Sequence, residues 1–213
     1  LTGHLINLSL LTAITVAANV TLYRQALRGA EQLELIEEQN VELKSLAWWD
    51  PLTGVANRRL GEIRMEEERA RFIRYRRPFS LVMSDIDKFK AVNDQFSHTL
   101  GDTVLKTLSK LLISQLREVD LVVRQGGEEF LLIMPETGAE EATEVCEKLR
   151  AGIEAYDWES LQPGLEVTMS FGVADSNEES ELSGMIDVAD RRLREAKAAG
   201  RNRVRGRGPT RHR

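Results

Sequence analysis

Apolar and polar residues alternate along most of the chain with spacings typical of strands or of helices. Short runs of apolar and β-branched residues predict strands at 79–86, 121–134 and 165–174, the second of them a hairpin. Longer amphipathic stretches predict helices at 55–76, 99–118, 139–155 and 182–199. We therefore predict an α+β fold with a central, mostly antiparallel sheet flanked by helices, and not a doubly wound sheet.

Residues 1–23 contain no Lys, Arg, Asp or Glu, and Arg24 and Arg28 follow them directly. At about 1.5 Å per residue, a helix of this length spans most of a bilayer, with the arginines on the cytoplasmic side. Asn7, Asn19 and several hydroxyl side chains favour the alternative, a buried helix from an upstream sensory domain. Both interpretations stay open.

Residues 24–47 are charged and lack proline, and their apolar positions follow an alternating three-four spacing. This spacing predicts a long N-terminal helix with a short heptad seam, in which Asn40 occupies a core position and fixes a two-stranded register. A single amphipathic helix packed on its own domain is the alternative. The seam positions are Leu22, Ala26, Gly29, Leu33, Ile36, Asn40, Leu43 and Ala47.

Composition limits the class of protein. The chain of 213 residues can hold one domain of about 150 residues with an extension. A net charge of −5 argues against a general nucleic-acid binder, so we expect no specific nucleic-acid partner. The single cysteine, Cys146, lies in an amphipathic helical pattern and is expected to pack, which is consistent with a reducing cytoplasm.

The hairpin at 121–134 carries the most distinctive chemistry. Gly126 and Gly127 allow positive φ at a tight turn and let a ligand approach the backbone, and Glu128 and Glu129 follow them. Carboxylates are hard oxygen ligands of the kind that Mg²⁺ prefers. A hairpin with a solvated pair of glutamates is the alternative. If the strand at 79–86 pairs beside the hairpin, however, Asp85 can share a cation with one of the two glutamates.

Ordered motifs along the chain resemble those of the GGDEF-domain diguanylate cyclases. The resemblance covers residues 48–206 and implies a catalytic domain with a fold related to the nucleotide cyclase and polymerase palm. Residues 207–213 would then form a basic tail. The motifs are Asp50 to Arg59, Asp85 to Asp94, His98 with Gly101 and Asp102, Gly126 to Phe130, and Ala196 to Arg203.

The resemblance implies a Mg²⁺ site, with Mn²⁺ as an alternative ion. Asp85, the backbone carbonyl of Ile86 and Glu128 would bind the metal, and Glu129 would lie close to a second ion. Glu128 would also accept the proton of the attacking ribose hydroxyl, and Lys90 would stabilise the transition state. Adjacent strand residues point to opposite faces, so the turn must redirect one glutamate for both to reach the metals.

The resemblance also implies contacts to GTP. Asn93 and Asp102 would read the guanine edge, and Lys197 and Arg201 would hold the β- and γ-phosphates. An ordinary helix C-terminus, where cations complement the helix dipole, is the alternative for these two cations. His98 is either a substrate contact or a packed loop histidine. The remaining implied substrate contacts are Gly126 and Gly127.

Ser97 stands where this family usually has glycine. If the position needs a positive φ, serine adds strain of about 1 kcal/mol and lowers activity.

Arg117 and Asp120 have the spacing of the family's product-inhibition motif. Arginine can clamp a phosphate or stack on guanine, and the aspartate can accept from the base. The alternative is a helix-end salt bridge of little energetic value.

The resemblance therefore implies a homodimeric diguanylate cyclase that joins two GTP into cyclic di-GMP, releases pyrophosphate and is inhibited by its product. The catalytic domain would be cytoplasmic, and anchored in the inner membrane if residues 1–23 span it. Two alternatives are a cyclic di-GMP receptor with a silent active site, and a dimerising membrane signal transmitter. The Gly126 to Phe130 motif argues against the receptor, which needs no metal ligands.

Overall fold

The computed structural model describes residue 32 and residues 48–207. The predicted membrane or buried helix at 1–23, nearly all of the predicted coiled coil at 24–47 and most of the tail therefore lie outside the described residues. Within the described part of the chain, no helix has the length and hydropathy needed to cross a membrane.

A sheet of six strands in the order β1-β3-β4-β2-β5-β6 forms the centre of the domain. The four central strands are antiparallel, whereas the two edge strands β1 and β6 pair in parallel with β3 and β5. The predicted mostly antiparallel sheet is confirmed. The strands are β1 Ala56–Asn57, β2 Ser80–Ile86, β3 Leu121–Gly126, β4 Glu129–Met134, β5 Met169–Asp175 and β6 Val204–Arg205.

Helices cover the sheet, and a short 3-10 turn follows the fourth of them. The helices are α1 Arg58–Tyr75, α2 Phe89–Gln95, α3 His98–Gln115, α4 Ala139–Glu154 and α5 Leu182–Ala198, and the turn is Trp158–Ser160. The four helices predicted from the sequence are present, with ends that differ by up to three residues. Helix α2 was not predicted, because its seven residues are too few for a helical period to stand out.

Two predicted boundaries were wrong for local reasons. The segment predicted as helix from residue 55 begins instead with strand β1, and Asn57 then caps α1 by accepting a hydrogen bond from the Leu60 amide at 3.1 Å. The strand predicted from residue 165 begins at Met169. Leu165 and Val167 are buried, but they precede the paired part of the strand.

The core lies on both faces of the sheet. Successive residues of β4 point to opposite faces, so Leu131 and Ile133 pack with residues of α1 and α5, and Leu132 packs with residues of α3 and α4. Each fully buried side chain of this size contributes about 1.5–3 kcal/mol. Cys146 is fully buried in the second of these layers, as expected for a packing residue. This two-sided core holds the strand ends that carry the candidate site.

Candidate active site

The β3–β4 hairpin has the positive φ angles predicted for its glycines. Gly126 has φ 151° and Gly127 has φ 54°. The two-residue loop, however, is formed by residues 127 and 128, because Gly126 still belongs to β3 and pairs with Glu129. The register shifts between Arg124 and Gly126, which marks a bulge before the loop. Glu128 therefore lies in the loop and Glu129 begins β4.

Asp85 lies at the end of β2, directly beside this loop. It is only 7% exposed and is paired in register with Glu129, while the Ile86 amide donates a hydrogen bond to the Glu128 carbonyl at 3.4 Å. Burial raises the pKa of the Asp85 carboxyl; Lys197 opposes the rise, and the negative charges of Glu128 and Glu129 add to it. Glu129 faces Asp85 across the paired strands, and Glu128 precedes Glu129 in the loop, so both glutamates interact electrostatically with Asp85.

Lys197, in the last turn of α5, forms an ion pair with Asp85 at 2.8 Å. The sequence-based prediction placed this ammonium on a phosphate, and the structure shows that a cation also fits beside the buried carboxylate. Within the described residues, no three His, Cys, Asp or Glu side chains form a ready-made metal site. Mg²⁺ is usually held by one or two carboxylates together with phosphate oxygens and water. The donors at the end of β2 fit an ion bound in that way.

Helix α2, which carries Asn93, packs on α3, which carries Asp102. Gly101 makes this possible: a Cβ atom there would overlap the Asn93 carboxamide, lying 3.1 Å from its Cγ and 3.2 Å from Cζ of Phe89. Asn93 is half-buried, and Asp102 is exposed one residue beyond the buried Gly101. The two side chains predicted to read guanine therefore lie beside the same helix contact.

Ser97 does not have the positive φ angle at which serine would be strained. Its φ of 177° and ψ of 162° are extended backbone that any residue adopts, and its hydroxyl caps α3 by accepting from the Leu100 amide at 3.2 Å. His98 is the first residue of α3 and is exposed, so it is not a packed loop histidine. Its contact with substrate stays a prediction.

The remaining predicted cations lie on the two segments that adjoin Asp85. Lys90 is exposed in the first turn of α2, and Arg201 is exposed just after α5. A cavity of about 380 Å³ lies between these segments and is lined by residues that include Lys88, Arg201 and Asn202. A separate cavity of about 290 Å³, between α1 and Glu136, contains none of the predicted site residues.

Arg117 and Asp120 form an ion pair at the opposite end of β3 from the hairpin loop. Six strand residues at about 3.3 Å each separate the pair from the loop by about 20 Å. The Asp120 side chain is 1% exposed and that of Arg117 is 49% exposed. Arg117 also donates to Thr137 and lies 3.7 Å from Glu141. The guanidinium is thus held by several acceptors but stays accessible.

Asp50 and Arg124 form a contact that was not predicted from the sequence. Arg124 donates to both carboxylate oxygens of Asp50, at 3.0 and 3.2 Å, and to the Gly127 carbonyl at 2.8 and 3.0 Å. Burial by itself would raise the pKa of Asp50, but hydrogen bonds from Thr53 and Arg124 outweigh burial and lower it. The first turn of the domain is thereby tied to the loop that carries Glu128. The only sign of this in the sequence is that Asp50 opens one of the ordered motifs.

Comparison with known proteins identifies the domain. A family model described as "Diguanylate cyclase, GGDEF domain" matches residues 47–203. The chain is 40% identical over 157 residues to the diguanylate cyclase DgcP of Pseudomonas aeruginosa, which covers 73% of this chain and 23% of DgcP. The chain therefore spans less than a quarter of that relative's length.

Two solved structures share the fold. Diguanylate cyclase SiaD from Pseudomonas aeruginosa, solved in complex with its activator SiaC, has a TM-score of 0.72 and 34% identity, covering 91% of this chain and 79% of SiaD. The GGDEF domain of DgcB from Caulobacter crescentus, solved in complex with c-di-GMP, has a TM-score of 0.68 and 28% identity, covering 74% of this chain and 94% of that domain. Both match the mixed sheet with flanking helices described above.

Proposed function

Since the chain belongs to the GGDEF-domain diguanylate cyclase family, we propose that it condenses two GTP into cyclic di-GMP with release of pyrophosphate. The observation that carries the proposal is the cluster at the end of β2. Buried Asp85 lies beside Glu128 and Glu129 and is paired with Lys197 at 2.8 Å. This cluster combines acidic ligands for a metal with a cation for phosphate, as phosphoryl transfer requires.

The residues that would hold Mg²⁺ are Asp85, the Ile86 carbonyl and Glu128, with Glu129 beside a second ion. Mn²⁺ is the alternative, since it prefers the same oxygen ligands. When bound, such ions polarise the α-phosphate and neutralise charge on the leaving pyrophosphate. Burial of Asp85 favours a bound cation, because a buried carboxylate needs a compensating positive charge.

The protein itself would supply proton transfer and charge stabilisation. Glu128 lies in the hairpin loop, where Arg124 donates to the carbonyl of the preceding Gly127, and we propose that Glu128 accepts the proton of the 3′-hydroxyl. Lys90, exposed at the start of α2, would offset charge on the phosphoryl oxygens in the transition state. Gly126 and Gly127 lack side chains that would block a nucleotide from the hairpin backbone.

The nucleotide would lie along α2, α3 and the end of α5. Asn93 and Asp102 would bind the guanine edge, since an amide and a carboxylate together complement its acceptors and donors. His98 begins the same helix as Asp102 and would contact the substrate nearby. Lys197 and Arg201 would bind the β- and γ-phosphates, and Lys197 would then exchange its pairing with Asp85 for phosphate.

One domain would bind one GTP, so two copies must face each other to join two nucleotides. We propose a homodimer held by the predicted seam from Leu22 to Ala47, which raises the effective concentration of the second domain. Membrane anchoring through residues 1–23 remains part of the hypothesis, as does a cytoplasmic catalytic domain.

Arg117 and Asp120 are proposed as a product-binding site. The partly exposed guanidinium and the buried carboxylate offer a donor for phosphate or guanine and an acceptor for the base. The GGDEF domain of DgcB, a 28% identical neighbour, was solved in complex with c-di-GMP. Arg117→Ala should retain turnover and lose inhibition by added cyclic di-GMP. If its inhibition curve matches that of the wild type, the pair is only a salt bridge.

The reaction is tested with the full chain, GTP and Mg²⁺, by following pyrophosphate release. Glu128→Gln keeps the size of the side chain but removes the charge and the basic oxygen, so turnover should fall by about a hundredfold or more. Glu144→Gln, the same change at an exposed position of α4, is the matched control and should behave as wild type. Equal rates for wild type and Glu128→Gln would contradict the proposed role of Glu128.

A further inference from the structure

The loop after α5 has an unusual backbone. Gly200, Arg201 and Asn202 have φ angles of 118°, 65° and 44°, so three consecutive residues lie in the positive region. For residues other than glycine, this region costs about 1 kcal/mol or more each. The Arg201 amide donates to the Ala196 carbonyl at 3.0 Å, which closes the end of the helix but does not hold Asn202. The conformation that carries Arg201 must therefore be held by tertiary contacts.

Asp87, a buried residue, supplies one of these tertiary contacts. It is 7% exposed, and its Oδ2 accepts a hydrogen bond from the backbone amide of Asn202 at 2.9 Å. The Thr168 hydroxyl donates to Oδ2 at 2.8 Å and the Ser170 hydroxyl donates to Oδ1 at 2.7 Å. Three donors thus orient the carboxylate, and its oxygens are turned to the start of β5 and to the loop. Asp87 follows the predicted metal ligand Asp85 by two residues but makes different contacts.

The Asn202 side chain holds the same loop from the other side. Its amide oxygen accepts from Arg150 Nη1 at 3.0 Å, and its amide nitrogen donates to Glu154 Oε1 at 2.7 Å. Arg150 is itself paired with Glu154 at 2.7 Å. These two partners lie on α4; the Arg150 contact is partly buried, as the Asp87 contact is, whereas the Glu154 contact is exposed. Hydrogen bonds to Asp87, just after β2, and to the end of α4 therefore hold the loop from two sides.

We propose that Asp87 is a positioning residue, which fixes the left-handed loop so that Arg201 faces the β- and γ-phosphates of the nucleotide. This inference rests on the proposed function. Without the carboxylate, the loop can leave its positive φ angles, and phosphate binding must then also supply the free energy of ordering it. Loss of Asp87 should therefore weaken recognition of the β- and γ-phosphates and leave recognition of the base intact.

Two probes separate the phosphates from the base. The dissociation constants of GMP and of a GTP analogue with a methylene group between its α- and β-phosphorus atoms are measured by calorimetry, with Mg²⁺, for the full chain. Asp87→Ala should weaken binding of the analogue about tenfold, equivalent to about 1.4 kcal/mol, and change GMP binding less than twofold. Asp87→Asn keeps a side chain of the same shape, whose oxygen can accept from the backbone amide of Asn202. Most of the affinity for the analogue should therefore return.

Asp175 provides a matched control. It is a buried aspartate at the other end of β5, where it accepts from the Ala139 amide at 3.1 Å. Asp175→Ala should lower the melting temperature without changing the ratio of the two dissociation constants. If Asp87→Ala does not fold, Thr168→Val removes one of the hydroxyls that orient the carboxylate and should change the same ratio about threefold.

Three results would overturn the proposal: an unchanged ratio in a folded Asp87 variant, an equal loss for both probes, or no recovery in Asp87→Asn. If the wild-type chain binds the analogue more tightly than GMP but releases no pyrophosphate from GTP, the proposed reaction alone is overturned. The ratio of the two dissociation constants in the Asp87 variants then still tests the role of Asp87. A wild-type chain without that preference would overturn both the phosphate contacts of Lys197 and Arg201 and this proposal.

Discussion

Gly101→Ala tests the proposed guanine site through a single added methyl group. Gly101 is buried in α3 where that helix packs on α2. The new Cβ would overlap the Asn93 carboxamide, at 3.1 Å from its Cγ, and would lie 3.2 Å from Cζ of Phe89. Phe89 belongs to the core and has little room to move. Asn93 must therefore rotate away from its present position.

The expected effects on stability and on binding differ in size. Alanine gains about 1 kcal/mol over glycine in a helix, and overpacking costs about 1–3 kcal/mol, so Gly101→Ala should lose at most about 2 kcal/mol and stay folded. Displacing Asn93 removes one or two hydrogen bonds to the base, at about 0.5–1.5 kcal/mol each. Affinity for GMP should therefore fall about tenfold.

The assay measures dissociation constants of GMP and AMP by calorimetry, together with the melting temperature. Gly152→Ala is the control, because Gly152 is also a helical glycine that faces a side-chain amide. Its Cβ would lie 2.6 Å from Nε2 of Gln115, but Gln115 is exposed and can move aside. Gly152→Ala should bind GMP as the wild type does. Unchanged GMP affinity and unchanged preference over AMP in a folded Gly101→Ala variant would refute the placement of guanine at Asn93.

Further predictions concern the cap of α3 and the tie to the hairpin. Ser97→Gly should lower stability by only a few tenths of a kcal/mol, because glycine is also a fair N-cap, and should not raise the rate of pyrophosphate release; a gain in rate would restore the idea of strain at Ser97. Asp50→Asn should lower the free energy of unfolding by about 1–3 kcal/mol at pH 7, measured in urea, because Arg124 loses its charged partner. Since the folded-state pKa of Asp50 lies below its ordinary value of 3.8, the stability it contributes is present above that pH and is lost as the pH falls through the folded pKa. The difference between Asp50→Asn and wild type should therefore shrink only below about pH 4, and a difference that is already lost at pH 6 would contradict the assignment.

The elements with long periodic patterns could be predicted from the sequence. Helices α3, α4 and α5 and the central strands have apolar faces that must be buried, so their type follows from spacing. The buried positions of α1 include Gly61 and Glu68, so its apolar face is less distinct. The edge strands β1 and β6 could not be predicted, because two residues carry no period. Helix α2 was missed for a similar reason, since seven residues are too few for a helical period to stand out.

Candidate site residues could be predicted where they belong to sequence motifs. Their contacts were predicted less well, because these depend on backbone geometry and on the packing of distant elements. Asp85 and Glu128 were identified from the sequence, yet the pairing of Asp85 with Lys197 depends on how α5 packs against the sheet. Whether Ser97 is strained could not be decided from the sequence, because the missing glycine says nothing about the φ angle at that position. No role was predicted for Asp87, because its partners lie on β5 and in the loop after α5, far away in the sequence.

The most direct test of the proposed reaction is its product balance. The full chain is incubated with GTP and Mg²⁺, and cyclic di-GMP and pyrophosphate are both quantified by chromatography and a coupled assay. The proposed reaction predicts one cyclic di-GMP for every two pyrophosphates, with a rate per chain that rises with chain concentration because two domains must meet. Pyrophosphate without the cyclic dinucleotide, or neither product at micromolar chain concentration, would contradict it.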